Sequence, residues 1–191
     1  MTDQIHRKTR KVINAPGEAH ELTFSCFRRR KFLSKERTRE YFIAAVRKAR
    51  KVHRFHLWAY VLMPEHVHMI VLPLEEKYDM SAIQKSIKQS VSRKAMEFLR
   101  RENPRGLRLL ETGQRNQPYA FWKAGGGYDR NVILPDTLQY MVNYIHNNPV
   151  RRGVGRRAGG LVLVQLGGVA GEGFGATVPG PGILSLSTVV G

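Results

Sequence analysis

The chain has 191 residues, enough for one domain with extensions and a core of its own, and too few for a second enzyme domain. Lys and Arg number 32 against 15 Asp and Glu, a formal net charge of +17 that points to a polyanionic partner. An ordinary aromatic content of 9% argues against disorder throughout, and the single cysteine, Cys26, excludes an internal disulfide.

Residues 1–18 are basic and polar, with Arg7, Lys8, Arg10 and Lys11 ahead of Pro16-Gly17, and carry no apolar segment of signal-peptide type. They read as a flexible arm, either solvated or laid along phosphates. Cytoplasmic, nucleoid-associated residence with no membrane partner is expected. From Glu21 to Phe27 the residues Leu22, Phe24 and Cys26 alternate with Thr23 and Ser25, a strand pattern in which Cys26 is a small core residue. That strand runs into Arg28, Arg29, Arg30 and Lys31, four successive cations and a candidate phosphate contact. Residues 35–52 are predicted to be a helix: Ser34 is a suitable N-cap, Glu36 lies in the first turn, and Phe42, Val46 and Ala49 recur at helical spacing. Its basic end, with Arg50 and Lys51, complements the helix dipole.

Residues 55–72 read as an antiparallel hairpin. Trp58, Tyr60, Val61 and Leu62 form its first strand, Pro64-Glu65 its turn, and His66 and His68 open its second strand. Strand side chains repeat every two residues, so the two imidazoles leave one face while Val67 and Met69 leave the other. Such a pair can share a metal ion; it is also what an ordinary half-exposed strand can carry. A second amphipathic helix follows from about Met80 to Arg101, with Ile83, Ile87 and Val91 as its buried stripe and Lys85 and Lys88 off it. Residues 102–118 read as a loop. Tyr119 to Trp122 is predicted as a strand, broken by Gly125-Gly126-Gly127, which lack the Lys-Ser/Thr of a phosphate loop. Pro135-Asp136 opens a short helix that Pro149 stops at Asn148. Strand, helix, strand, strand, helix, strand gives a ferredoxin-like βαββαβ antiparallel α+β fold, with that extra helix after it. One sheet face is left open for a ligand. From about Ala158 the chain turns Gly-rich with no Lys or Arg, and residues 158–191 read as a poorly ordered tail behind a domain spanning 19–157.

The last helix places Tyr144 and Asn148 four residues apart and so on one side, with His146 pointing elsewhere. A phenol and an amide oxygen facing a bis-imidazole site supply a nucleophile and a third metal ligand together. The runs Val61-Leu62-Met63-Pro64-Glu65-His66-Val67-His68, Phe121-Trp122-Lys123, Tyr128-Asp129-Arg130 and Tyr144-Ile145-His146-Asn147-Asn148-Pro149-Val150-Arg151 together resemble the REP-associated tyrosine transposases of the single-tyrosine HUH superfamily. The resemblance covers roughly residues 8–154. The Gly-rich tail departs from it, since members continue past Asn-Pro-Val-Arg with a short polar segment.

The resemblance implies that His66, His68 and Asn148 hold Mg²⁺ or Mn²⁺ and that Tyr144 is the nucleophile. Zn²⁺ also suits mixed nitrogen and oxygen ligation. The implied substrate is single-stranded DNA with hairpins from palindromic repeats, cleaved and rejoined through a 5′-phosphotyrosine by a monomer or homodimer. Arg28, Arg29, Arg30, Lys31, Arg130, Arg151 and Arg152 are the candidate nucleic-acid contacts. Tyr128, beside the three glycines, competes with Tyr144 as nucleophile and is disfavoured because flexible glycines position it poorly. Two other classes fit part of the pattern: a noncatalytic DNA- or RNA-binding module with the same fold, and a hydrolase using a metal-bound water. Only the tyrosine mechanism leaves protein covalently joined to DNA.

Overall fold

The computed structural model describes residues 14–132 and the backbone of residues 164–166. The strands are β1 (Ala19–Ser25), β2 (Phe55–Met63), β3 (His66–Pro73), β4 (Tyr128–Val132) and β5 (Val164–Leu166). The helices are α1 (Glu36–His53), α2 (Met80–Glu102) and the single turn α3 (Pro104–Leu107). The sheet runs β4-β1-β3-β2-β5, with every pairing antiparallel. Its first four strands, joined by α1 and α2, are the ferredoxin-like arrangement expected from the sequence.

Alternation decides which face each strand buries. Leu22 and Phe24 of β1, Tyr60 and Leu62 of β2, and Val67, Met69 and Val71 of β3 form one core with Phe42, Val46 and Ala49 of α1 and Ile83, Ile87 and Val91 of α2. Fully burying side chains of this size stabilises the fold by about 1.5–3 kcal/mol each. Residues one step out of phase lie on the other face, where Val61, Met63, Ile70 and Val132 form a smaller cluster.

The helix ends differ from each other. Asp79 caps α2, its carboxylate accepting from the backbone N–H of Ser81 at 2.8 Å and of Ala82 at 3.2 Å. The expected Ser34 cap of α1 is not formed: Lys35 is the capping residue, and the Ser34 hydroxyl donates backward to the Lys31 carbonyl at 2.7 Å. The preceding one-turn helix Phe32–Ser34 draws that hydroxyl away from α1.

The fourth strand is not where apolar content places it. Tyr119 and Trp122 make only isolated bridges, to Glu111 and Cys26, while the ladder beside β1 is formed by the polar segment Tyr128–Val132. Phe121 and Trp122 are apolar because they pack into the core, not because they extend the sheet. The glycines do form the turn between: Gly125 and Gly127 have φ of +86° and +83°, and a Cβ on Gly127 would lie 2.2 Å from the Thr23 carbonyl. Residues 102–118, expected as loop, contain α3 and a further 3₁₀ turn at Arg108–Leu110. Three residues of the Gly-rich tail, Val164–Leu166, pair with β2 as β5, where the composition predicts no order. The predicted helix of residues 135–148 lies outside the described residues, as does the rest of the tail.

Candidate metal centre and nucleic-acid face

His66 opens β3 immediately after the Pro64-Glu65 turn, and His68 follows on the same face of the strand. This is the sheet face opposite α1 and α2, since Val67 and Met69 point into the helix-covered core. The two Nε2 atoms are 3.0 Å apart, with the rings edge to face. Each ring is held from behind. Nδ1 of His66 lies 3.1 Å from Glu65 Oε1, and Nδ1 of His68 lies 2.7 Å from Thr23 Oγ1.

When those outer nitrogens carry the protons, both Nε2 lone pairs point into the same small space, an arrangement that a shared cation would stabilise. Two ligands about 2.1 Å from one ion and at right angles are about 3.0 Å apart, so the pair has the bite of adjacent octahedral positions. A carboxylate or hydroxyl behind each imidazole is how metal-binding histidines are ordinarily oriented. The donor set therefore fits a divalent cation. Among the described residues no group of three His, Cys, Asp or Glu converges on one point. The pair could supply two ligands; Asn148, the expected third, and Tyr144, the expected nucleophile, lie outside the described residues.

The neighbouring rows of the sheet fill in the face. Thr23 sits opposite His68 on one side and opposite Tyr128 on the other, so His68, Thr23 and Tyr128 form one cross-strand row on the same face. Tyr128 is thus fixed by a paired strand, and the expectation that flexible glycines leave it poorly placed is corrected. In the next row Arg130 reaches Glu21, Nη2 to Oε2 at 3.4 Å. Arg130 therefore shares the histidine face, already engaged with a carboxylate.

Arg28 to Lys31 lie at the end of the sheet where His66 begins. Ser25 pairs with His66, the Cys26 N–H donates to the Glu65 carbonyl at 2.8 Å, and the Leu33 N–H donates to the Pro64 carbonyl at 2.9 Å. The intervening turn forces Arg28 and Arg29 to φ of +50° and +52°, conformations that few non-glycine residues adopt. Arg28, Arg29 and Lys31 are exposed there. Arg151 and Arg152 lie outside the described residues.

Cys26 is a core residue, as its position in the alternating run implies. Burial pushes its thiol up to about 12, so it is protonated and unreactive at neutral pH. The sequence reading missed a buried network on the helix-covered face. His20, fully buried, places Nδ1 2.7 Å from Asp129 Oδ1 and Nε2 2.8 Å from the Tyr78 hydroxyl, which donates to the Ala15 carbonyl at 2.9 Å. Because Tyr78 spends its proton on Ala15, it accepts from His20 Nε2–H. Burial first, then the nearby Glu18 and Asp129 carboxylates, raises the Tyr78 pKa and keeps that proton in place. The network ties β1, β4 and the segment leading into α2 together, and so holds the strand that carries Tyr128 and Arg130.

Residues 19–148, well over half of the chain, match the family described as "Transposase IS200 like". The chain belongs to the IS200-like transposase family. Among solved structures, that of a REP-associated tyrosine transposase bound to a REP hairpin aligns with this transposase at a TM-score of 0.59 and 20% identity, covering 78% of this chain and 76% of that one. At that identity the likeness speaks for the fold. A 1.90 Å crystal structure from Deinococcus radiodurans R1, described as a candidate transposase, aligns at a TM-score of 0.44 and 15% identity over 72% of this chain and 96% of that one. No curated protein matches the transposase. Among its described residues no helix is long and apolar enough to cross a membrane.

Proposed function

We propose that this transposase cleaves and rejoins single-stranded DNA beside hairpins, using Tyr144 as nucleophile and a divalent cation held by His66, His68 and Asn148. The observation that carries the reading is the 3.0 Å approach of two Nε2 atoms whose rings are each held from behind by Glu65 and Thr23. A binding module of the same fold has no use for that arrangement. Mg²⁺ or Mn²⁺, when bound, supplies positive charge to a nonbridging oxygen of the scissile phosphate and so favours attack at phosphorus.

The protein's own residues do the rest. The Tyr144 oxygen forms a bond to the 5′-side phosphorus as the bond from that phosphorus to the preceding 3′-oxygen breaks; the phenol loses its proton and the departing 3′-oxygen gains one. The products are a 5′-phosphotyrosine and a free 3′-hydroxyl, and the phosphodiester energy is retained for joining to another end. Glu65 and Thr23 hold the imidazoles in the tautomer that leaves Nε2 available. Arg28, Arg29, Arg30 and Lys31 at the histidine end of the sheet, with Arg130, Arg151 and Arg152, take the phosphates of the bound strand. The solved structure of a REP-associated transposase with a REP hairpin supports hairpin DNA as the substrate class.

The test is metal-dependent cleavage of an end-labelled strand carrying a hairpin. Wild-type protein with Mn²⁺ should cut it, EDTA should stop the reaction, and His66→Ala and His68→Ala should each lose at least 100-fold in rate. Cleavage that survives both substitutions would remove the metal centre from the account.

A further inference from the structure

The buried His20 network contains one more hydrogen bond than its neutral groups can make. The Asp129 carboxylate at one end and the Ala15 carbonyl at the other are acceptors only; between them lie Nδ1 and Nε2 of His20 and the Tyr78 hydroxyl, linked at 2.7, 2.8 and 2.9 Å in turn. Three links need three protons, and a phenol and a neutral imidazole bring two. A link without a proton would press lone pairs together where His20 is fully buried, at the full cost of an unmade hydrogen bond. The third proton belongs on the ring, since an imidazole ordinarily binds a proton more tightly than a carboxylate does. Glu18, which accepts from the Asn131 side-chain amide and acts on Tyr78, adds a second carboxylate nearby and favours the same cation.

The contact is also diagonal. His20 stands opposite Asn131 in the β1–β4 ladder and Asp129 stands opposite Leu22, so the pair crosses from one row to the next. Tyr128–Val132 has no alternating apolar pattern, so burial does not choose between registers two residues apart. A slip of two residues would keep every side chain on its own face, yet carry Asp129 away from His20 and Tyr128 away from the row of Thr23 and His68. Buried ion pairs are weak stabilisers, and fixing one alignment among several is their best-attested use.

We infer that His20 is a buried imidazolium and that its pairing with Asp129 sets the register of β4, which makes both of them positioning residues for Tyr128 and Arg130 on the histidine face of the sheet. The inference rests on the proposed reaction only where cleavage is the readout.

The test begins with nuclear magnetic resonance of the full-length protein in EDTA, with isotopically labelled histidine, near pH 7.5, where an ordinary exposed imidazole is mostly neutral. Wild-type His20 should show two ring N–H protons. Asp129→Asn supplies the third proton from its own amide, so His20 should keep Nε2–H, lose Nδ1–H and stay in place. The double variant His20→Leu, Asp129→Leu should stay folded, because apolar replacement of a buried ion pair is often neutral or stabilising. In it the cross-strand proton contacts between Tyr128 and Thr23 should be lost, and hairpin cleavage with Mn²⁺ should fall about tenfold while Mn²⁺ affinity holds. A single ring N–H on wild-type His20, or a double variant that keeps the Tyr128–Thr23 contacts, overturns the inference. If wild-type protein does not cleave at all, the proposed reaction falls and the spectra still decide the state of His20 and the register of β4.

Discussion

At the residue scale, the site depends on atoms behind the histidines as much as on the histidines. The pair itself was legible in the sequence, because a two-residue period places His66 and His68 on one face whatever the rest of the fold does. Thr23 was not: it lies 45 positions from His68, and only the β1–β3 register brings its hydroxyl to 2.7 Å from Nδ1. Glu65 was read as a turn residue, although its place beside His66 was a usable signal. The geometry predicts that Thr23→Val, which keeps shape but removes the hydroxyl, weakens Mn²⁺ binding about tenfold with little change in melting temperature, as losses behind a metal ligand commonly do. Calorimetric titration with Mn²⁺ checks it. Unchanged affinity would mean that Thr23 does not orient the ring.

At the element scale, the hairpin and both long helices were readable within a residue or two, because their apolar periodicities are long and unbroken. β4 was not, since a strand can be specified by its neighbours alone. Tyr128–Val132 has no alternating apolar pattern, yet it is paired along β1 and held by the His20–Asp129 contact across 109 positions. Gly127 is the entry to that strand. Gly127→Ala would force a Cβ to within 2.2 Å of the Thr23 carbonyl at a φ of +83°, and a backbone atom cannot swing aside. The expected cost is about 1–3 kcal/mol of unfolding free energy, measured by urea denaturation. Gly113→Ala, with a similar φ of +78° and nothing within 4 Å of its Cβ, should lose clearly less. Equal losses at the two positions would show that the close approach of β4 to β1 is not what constrains Gly127.

At the scale of the whole molecule, a net charge of +17 is distributed over more than one surface: the arginine turn at the histidine end of the sheet, and the groove between α2 and residues 117–126, which Lys85, Lys88, Arg93 and Lys123 line. The excess charge was visible in composition, but its division between surfaces was not, because it depends on how residues 117–126 fold back along α2. The histidine face carries one tyrosine among the described residues that share its cross-strand rows, Tyr128, in the row of His68 and Thr23. Tyr144 is assigned from helical spacing to Asn148 and from family resemblance. The most direct measurement is therefore capture of the covalent adduct: a labelled single-stranded hairpin is incubated with Mn²⁺ and resolved under denaturing conditions, with wild-type protein, Tyr144→Phe and Tyr128→Phe side by side. The account predicts a labelled protein band for wild type, none for Tyr144→Phe, and a weakened one for Tyr128→Phe; an adduct that persists in Tyr144→Phe and vanishes in Tyr128→Phe would contradict it.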